Sequence, residues 1–223
     1  MLEKNNIHDA LNTQSKYCYP DTDVLINSQG IRDQKTLDIV ERRISALMLL
    51  DLQTKKIPKA FELFRTDYLL KIHETVFSYL YPFAGKIRNE NIMKGNTPFC
   101  RPEYIANYLR MTIDKMKDDV KKLKTKEDIV DFLAYYYSEL NIIHPFREGN
   151  GRVLREYLRQ VVGFISLNNS LDYELDFSNV DEKDKEKLIN GSIVSAATGE
   201  LEYLKLFFDS TLKEKIVNPS FKR

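Results

Sequence analysis

Apolar residues recur at intervals of three and four along most of this chain, the spacing that gathers them on one face of a helix. From Gln34 to Leu52 the set is Leu37, Val40, Ile44, Leu47 and Met48. Residues 59–80 repeat it through Phe61, Phe64, Tyr68, Ile72 and Phe77, and residues 103–121 through Ile105, Leu109, Ile113, Met116 and Val120. The clearest stripe runs from Lys126 to Ile143, where Ile129, Phe132, Leu133, Tyr136, Leu140 and Ile143 lie opposite charged positions. After a short loop, Arg152 to Leu167 returns to the same period with Leu154, Tyr157, Leu158, Val161 and Ile165 inward, and two further helices are predicted at 181–196 and 200–215.

Two stretches escape this rhythm. Residues 1–33 are polar and irregular, with turn chemistry at Tyr19-Pro20-Asp21 and Ser28-Gln29-Gly30. Residues 81–102 form the longest non-helical segment between helices and carry Gly85 and Gly95, which predicts an irregular hairpin. The charged run Lys121–Asp128 reads as a solvated connection. With no internal repeat or linker composition, the pattern predicts an all-α fold in a single domain over residues 1–223. One long non-helical excursion, at 81–102, interrupts it.

Composition narrows what such a domain can do. Of 223 residues, 43% are apolar and 30% charged, enough to bury a core. Basic residues number 34 against 33 acidic, a net +1, so there is no bulk attraction to nucleic acid or to an anionic membrane. Any phosphate binding must be local. Two cysteines make neither a disulfide framework nor a zinc site. Only 8 Gly and 7 Pro argue against an all-β sandwich. The first twenty residues lack an apolar leader core and no apolar run approaches membrane-spanning length, so the expectation is a soluble, cytoplasmic protein.

Chemistry concentrates in the segment from His144 to Arg155, HPFREGNGRVLR. Pro145 ends the helix before it, holding His144 at a terminus with its ring in the loop. Phe146 is placed to plug the loop into the core. Gly149, Asn150 and Gly151 lead straight into the next helix, where successive N–H groups can curl around an anion at the positive end of the helix dipole. Arg152 and Arg155 stand three apart on one side, and Arg159 follows at four more. Glu148 beside them supplies a carboxylate, and a carboxylate together with phosphate oxygens is the usual setting for Mg²⁺. Taken singly, each residue has an ordinary structural use: a dipole-complementing Glu148, a turn glycine, arginines paired with Glu148 or Glu156. His8 and His73 are assigned to structure.

No P-loop, no metal-hydrolase cage and no nucleophile elbow accompanies the segment. That leaves one base and one phosphate cradle, and their simplest joint use is deprotonation of a hydroxyl that attacks a Mg-bound phosphate. Because a helix C-terminus favours the imidazolium, activity is expected to rise with pH as His144 titrates.

HPFREGNGRVLR satisfies every position of the Fic-family signature, and the chain is identified on it as resembling that family across roughly residues 16–212. YPFAGKIRNENIMKGNTPFCRPEYI resembles the family's flap hairpin and following helix, and SKYCYPDTDVLINSQGIRD the N-terminal segment of bacterial toxin-type members. The resemblance implies a helical fold with a β-hairpin flap, and transfer of AMP from ATP to a protein hydroxyl. It makes His144 the general base and Glu148 the Mg²⁺ support. Gly149, Asn150, Gly151, Arg152 and Arg155 would hold the phosphates. Ile92, Met93, Lys94, Gly95, Asn96, Thr97 and Pro98 would form the flap that docks the target. The family's inhibitory motif, Ser/Thr four before a Glu followed by Gly or Asn, is not completed at Glu174, Glu182 or Glu202, nor at Gly199-Glu200. The resemblance therefore implies a small inhibitory antitoxin acting in trans on Arg155, and by analogy a type II topoisomerase subunit as target. No direct nucleic-acid or membrane partner is expected. Transfer of another phosphate group, as in a kinase, and a non-catalytic nucleotide-binding module are the alternatives.

Overall fold

Capping side chains open three of the helices that the periodicity predicts, Asp181 among them at the start of the seventh. Asp33 accepts from the Thr36 N–H at 2.8 Å and opens the first, and Thr125 with Asp128 forms a reciprocal capping box that opens the fifth. The computed structural model describes residues 14–95, 97–169 and 171–215, with the backbone of one short strand before them. In chain order the elements are β1 (Ile7–Asp9), α1 (Gln34–Thr54), α2 (Ala60–Leu63), α3 (Thr66–Phe77), β2 (Ile92–Lys94), β3 (Thr97–Pro98) and α4 (Pro102–Asp119). A 3₁₀ turn (Val120–Lys122) leads to α5 (Lys126–Ile143), α6 (Asn150–Asn168), β4 (Tyr173–Leu175), α7 (Glu182–Thr198), α8 (Glu202–Thr211) and β5 (Leu212–Glu214).

The fold is mostly helical, as predicted, and α5 matches its predicted bounds. Its stripe and that of α6 form the centre of the core: Ile129, Leu133 and Leu140 face Val153, Leu154 and Leu158, all without exposed surface. Helices α4, α7 and α8 pack on α5, and α3 packs on α6. Each such side chain contributes about 1.5–3 kcal/mol through burial. Among the described residues, no helix is long and apolar enough to cross a membrane.

Several expectations are corrected. The single helix over 59–80 is two, because Phe64 and Arg65 leave helical geometry, and Phe61, assigned inward, is 71% exposed. On α1 the buried face is Leu37, Glu41, Ser45 and Leu52, while Leu47 points out. Period alone chose the apolar side of α1, but the neighbours demand a polar one. The last helix stops at Thr211, since Leu212–Glu214 pairs antiparallel with Tyr173–Leu175. The hairpin of β2 and β3 was expected; β1 adding a third strand on the other side of β2 was not.

Candidate active site

The loop between α5 and α6 is built from both its ends. His144 caps α5 in the left-handed region, φ 45° and ψ 63°, a conformation that costs a non-glycine residue about 1–3 kcal/mol and therefore needs support. The residue is 7% exposed, and its ring stacks on Phe99, centroids 3.7 Å apart with planes 15° off parallel. Nδ1 lies 3.1 Å from the Asn141 carbonyl, which can only accept, so Nδ1 carries the proton and Nε2 keeps its lone pair. Among the described residues Nε2 makes no hydrogen bond. Burial pushes the imidazole pKa down to about 3, and the charges of Arg88 and Lys94 push the same way. This reverses the balance expected from the helix terminus alone: desolvation outweighs the dipole, and the ring is neutral throughout the physiological range.

Asn150 closes the loop. Its Oδ1 accepts the Phe146 N–H at 2.9 Å and its Nδ2 donates to the Phe146 carbonyl at 2.7 Å, closing the loop on itself. Phe146, fully buried, lies flat on His73 at 3.9 Å. Gly149 sits at φ 81°, and a Cβ there would stand 2.3 Å from the Phe77 ring. Glycine is required on both counts. The Gly149 N–H is engaged by Glu148 Oε1 at 2.8 Å, whereas those of Asn150, Gly151 and Arg152 are without partners among the described residues. They open the N-terminus of α6 to an anion.

Arg152 is held in place before any ligand arrives. It donates to Glu41 at 2.6 Å, to Ser45 at 2.9 Å and to Glu148 at 3.3 Å, and its guanidinium lies 4.8 Å from the centre of the Phe77 ring. Glu41 also accepts from the Tyr81 hydroxyl. Arg155 folds back over Gly151, within 3.3 Å of where a Cβ would be, beside the Tyr137 phenol. Among the described residues no carboxylate pairs with it. Arg159 instead grips Glu156 with two 2.8 Å bonds and is not part of the cradle. The Glu148 side chain, 30% exposed, pairs with Arg152 and accepts from the Gly149 N–H. No cluster of three metal-ligating side chains occurs among the described residues, so a divalent ion here would be shared between Glu148 and a substrate's phosphates.

The flap stands beside this loop. Ile92 is buried, Lys94 is exposed, and Gly95 turns the hairpin at φ 56°. Met93 faces Pro98 and Lys94 faces Thr97, while Asn96 lies outside the described residues. Three residues that serve the loop were missed from the sequence, Glu41, Arg88 and Phe99, while His73, assigned to structure, supports it through main-chain bonds. A signal existed for Glu41, since Leu37, Glu41 and Ser45 recur at four-residue spacing and put two polar groups on one helical face. For Arg88 the sequence carries none, because its partners are main-chain atoms.

The Fic/DOC family profile matches residues 63–161. The adenylyltransferase VbhT of Bartonella schoenbuchensis is 32% identical over 75% of this chain, which spans 34% of VbhT's own length. The probable adenylyltransferase y4lH of Sinorhizobium fredii is 31% identical over 82% of this chain and 87% of its own. Among solved structures, BepC of Bartonella tribocorum with bound AMPPNP superposes with a TM-score of 0.76 over 89% of this chain and 97% of that one, at 21% identity. With the loop geometry, these likenesses define a class: a helical enzyme domain of the adenylyltransferase kind. The chain belongs to the Fic/DOC family.

Proposed function

We propose that this chain transfers AMP from ATP to a hydroxyl side chain of a protein, working as one Fic domain. The observation that carries the reading is the state of His144: a neutral ring with Nδ1–H committed to Asn141 and Nε2 free, on the same loop as an open helix N-terminus and two arginines. Nε2 takes the proton of the target hydroxyl as its oxygen bonds to the α-phosphorus, and pyrophosphate leaves with the electron pair of the broken P–O bond. The amides at Gly149–Arg152 with Arg152 hold the α- and β-phosphates, and Arg155 takes the γ-phosphate. Asn150 acts by fixing the loop. Glu148 would hold Mg²⁺, which supplies charge neutralisation at the phosphates when bound. Residues 92–98 of the flap register the target along an extended segment.

Because the family's inhibitory motif is not completed in this sequence, and no carboxylate pairs with Arg155 among the described residues, inhibition is assigned to a separate small antitoxin whose glutamate reaches Arg155. The reading is that of a toxin-like enzyme acting in the cytoplasm. A type II topoisomerase subunit is its target by analogy alone. The test is incubation of the purified protein and a lysate with α-³²P-ATP or γ-³²P-ATP. Protein label from the α position alone, lost in His144→Ala while nucleotide still binds, is the expected result. Label from γ alone identifies a kinase, and label from neither a binding module; either refutes the proposal.

A further inference from the structure

Arg88 is 1% exposed and, among the described residues, has no carboxylate partner. A buried guanidinium is tolerated only when its donors are satisfied. Here main-chain oxygen engages all three guanidinium nitrogens and takes four of the five N–H donors. Nε donates to the His144 carbonyl at 2.8 Å, Nη1 to that of Glu90 at 2.6 Å, and Nη2 to those of Cys100 and, at 3.3 Å, Ile143. Two main-chain bonds run alongside: Arg88 N–H to the Pro145 carbonyl at 2.9 Å, and Cys100 N–H to that of Ile142 at 3.0 Å.

These four carbonyls belong to two functional parts. Ile143 and His144 are the last turn of α5 and the left-handed residue that carries the base. Glu90 and Cys100 bracket the flap, one on each side of β2 and β3. One planar, five-donor fork thus spans the frame of the imidazole and both roots of the segment assigned to target docking. A single-point ammonium lacks that span. Phe99, next to Cys100, stacks on the His144 ring, so a shift of the flap root also moves the wall against which the ring lies.

We infer that Arg88 is a positioning residue for the transfer step, fixing the left-handed His144 and the flap roots in one register through main-chain carbonyls. It touches neither nucleotide nor target. Its removal should act on the reaction and leave nucleotide binding alone, because the phosphate cradle at Gly149–Arg155 is built on α6, Glu41 and His73. The inference rests on the reading of His144 as the base, so His144→Ala is measured alongside. Transfer that survives His144→Ala would remove that reading, whatever Arg88 does.

The experiment compares Arg88→Lys and Arg88→Gln with the unaltered protein, measuring kcat and KM for ATP in α-³²P transfer, nucleotide Kd and Tm. Arg88→Lys, which keeps the charge and loses the fork, is expected to lower kcat by on the order of 100-fold, the cost of roughly 1 Å of misplacement. Nucleotide Kd and KM for ATP should stay within about threefold, the margin that weak distant effects leave. Unchanged kcat, or kcat and nucleotide affinity falling together, overturns the inference. If neither variant folds, the unaltered protein answers by NMR: the Arg88 Nε–H should exchange as slowly as core amides, and exchange at the rate of an exposed arginine overturns it.

Discussion

The His73 imidazole donates its Nε2 proton to the main-chain carbonyl of Glu148 at 3.0 Å. The tautomer is settled from the other side, where the Gly85 N–H donates to Nδ1 at 2.8 Å and leaves only Nε2 to carry hydrogen. A histidine far from the motif thus orients the peptide immediately before Gly149 and ties it to the start of the segment that carries the hairpin.

That arrangement separates two amide substitutions. His73→Gln can keep a donor at the Nε2 position, and His73→Asn can keep an acceptor at Nδ1. His73→Asn is expected to weaken ATP binding about tenfold, equivalent to about 1.4 kcal/mol, with His73→Gln within about threefold. Isothermal titration of the nucleotide decides the matter, and equal affinities for the two variants would show that the Glu148 bond does not shape the cradle.

The two buried histidines also set an acid limit. Burial holds His73 down to about 4 and His144 to about 3, whereas an unfolded histidine titrates near 6.5. Below about pH 6.5 the unfolded chain binds protons that the folded chain refuses, so stability falls as pH falls through the window down to about 4. At the limit each histidine contributes a slope of about 1.4 kcal/mol per pH. Urea midpoints should be flat from pH 8 to 7 and drop between pH 6 and 4.5, with His73→Gln removing about half of the drop. A flat profile across that window would contradict the assigned burial of both rings. For the same reason, kcat/KM should show no imidazole titration between pH 6 and 8.

Much of this was legible beforehand, and the boundary is physical. Helix α5 could be read because its apolar stripe and its Thr125–Asp128 cap agree. The loop from His144 to Arg155 could be read because glycine, proline and arginine at fixed spacing satisfy a backbone need that few sequences meet. The face of α1 was misread because its buried side carries Glu41 and Ser45 to meet Arg152, a partner 111 residues away in the chain from Glu41. Arg88 was invisible because carbonyl oxygens, its partners, occur at every position. Strands β4 and β5 are three residues each, too short for a period to show.

Gly149→Ala should be severe. The left-handed φ costs about 1–2 kcal/mol for a residue with a side chain, and overlap with Phe77 at 2.3 Å adds about 1–3 kcal/mol. Phe77→Leu in the same chain should recover the overlap and leave the backbone cost. A double-mutant cycle by chemical denaturation measures this, and strictly additive losses would mean that the ring is not what excludes the methyl group.

Glu41→Gln removes the carboxylate that holds Arg152 and keeps its shape. The pair is partly open to solvent, with Arg152 23% and Glu41 7% exposed. The loss is therefore set below that of a sealed pair, at about 1–3 kcal/mol. A bound triphosphate offers Arg152 a second anion, so saturating Mg·ATP should narrow the Tm gap between variant and parent. A gap that stays the same with nucleotide would indicate that Arg152 does not turn to the phosphates.

The last prediction concerns the edge of β2. On one side it pairs with β3, and on the other Ile7 faces Lys94, His8 faces Met93 and Asp9 faces Ile92. The outer edge of β3 is poor for a new strand, because it is two residues long and one of them, Pro98, has no N–H to give. A target segment that adds main-chain bonds to the flap must then compete with residues 7–9 of this chain. Proline in place of His8 removes a donor from β1 and weakens its claim on that edge without touching the loop or α6. His8→Pro is expected to lower KM for the protein target by on the order of threefold to tenfold, about 0.7–1.4 kcal/mol, with nucleotide Kd and kcat at saturating target unchanged. Steady-state AMP transfer over a range of target concentrations reads both constants. An unaltered KM would mean that the target engages some other part of the flap, and a loss of kcat would mean that β1 supports the flap instead of competing for it.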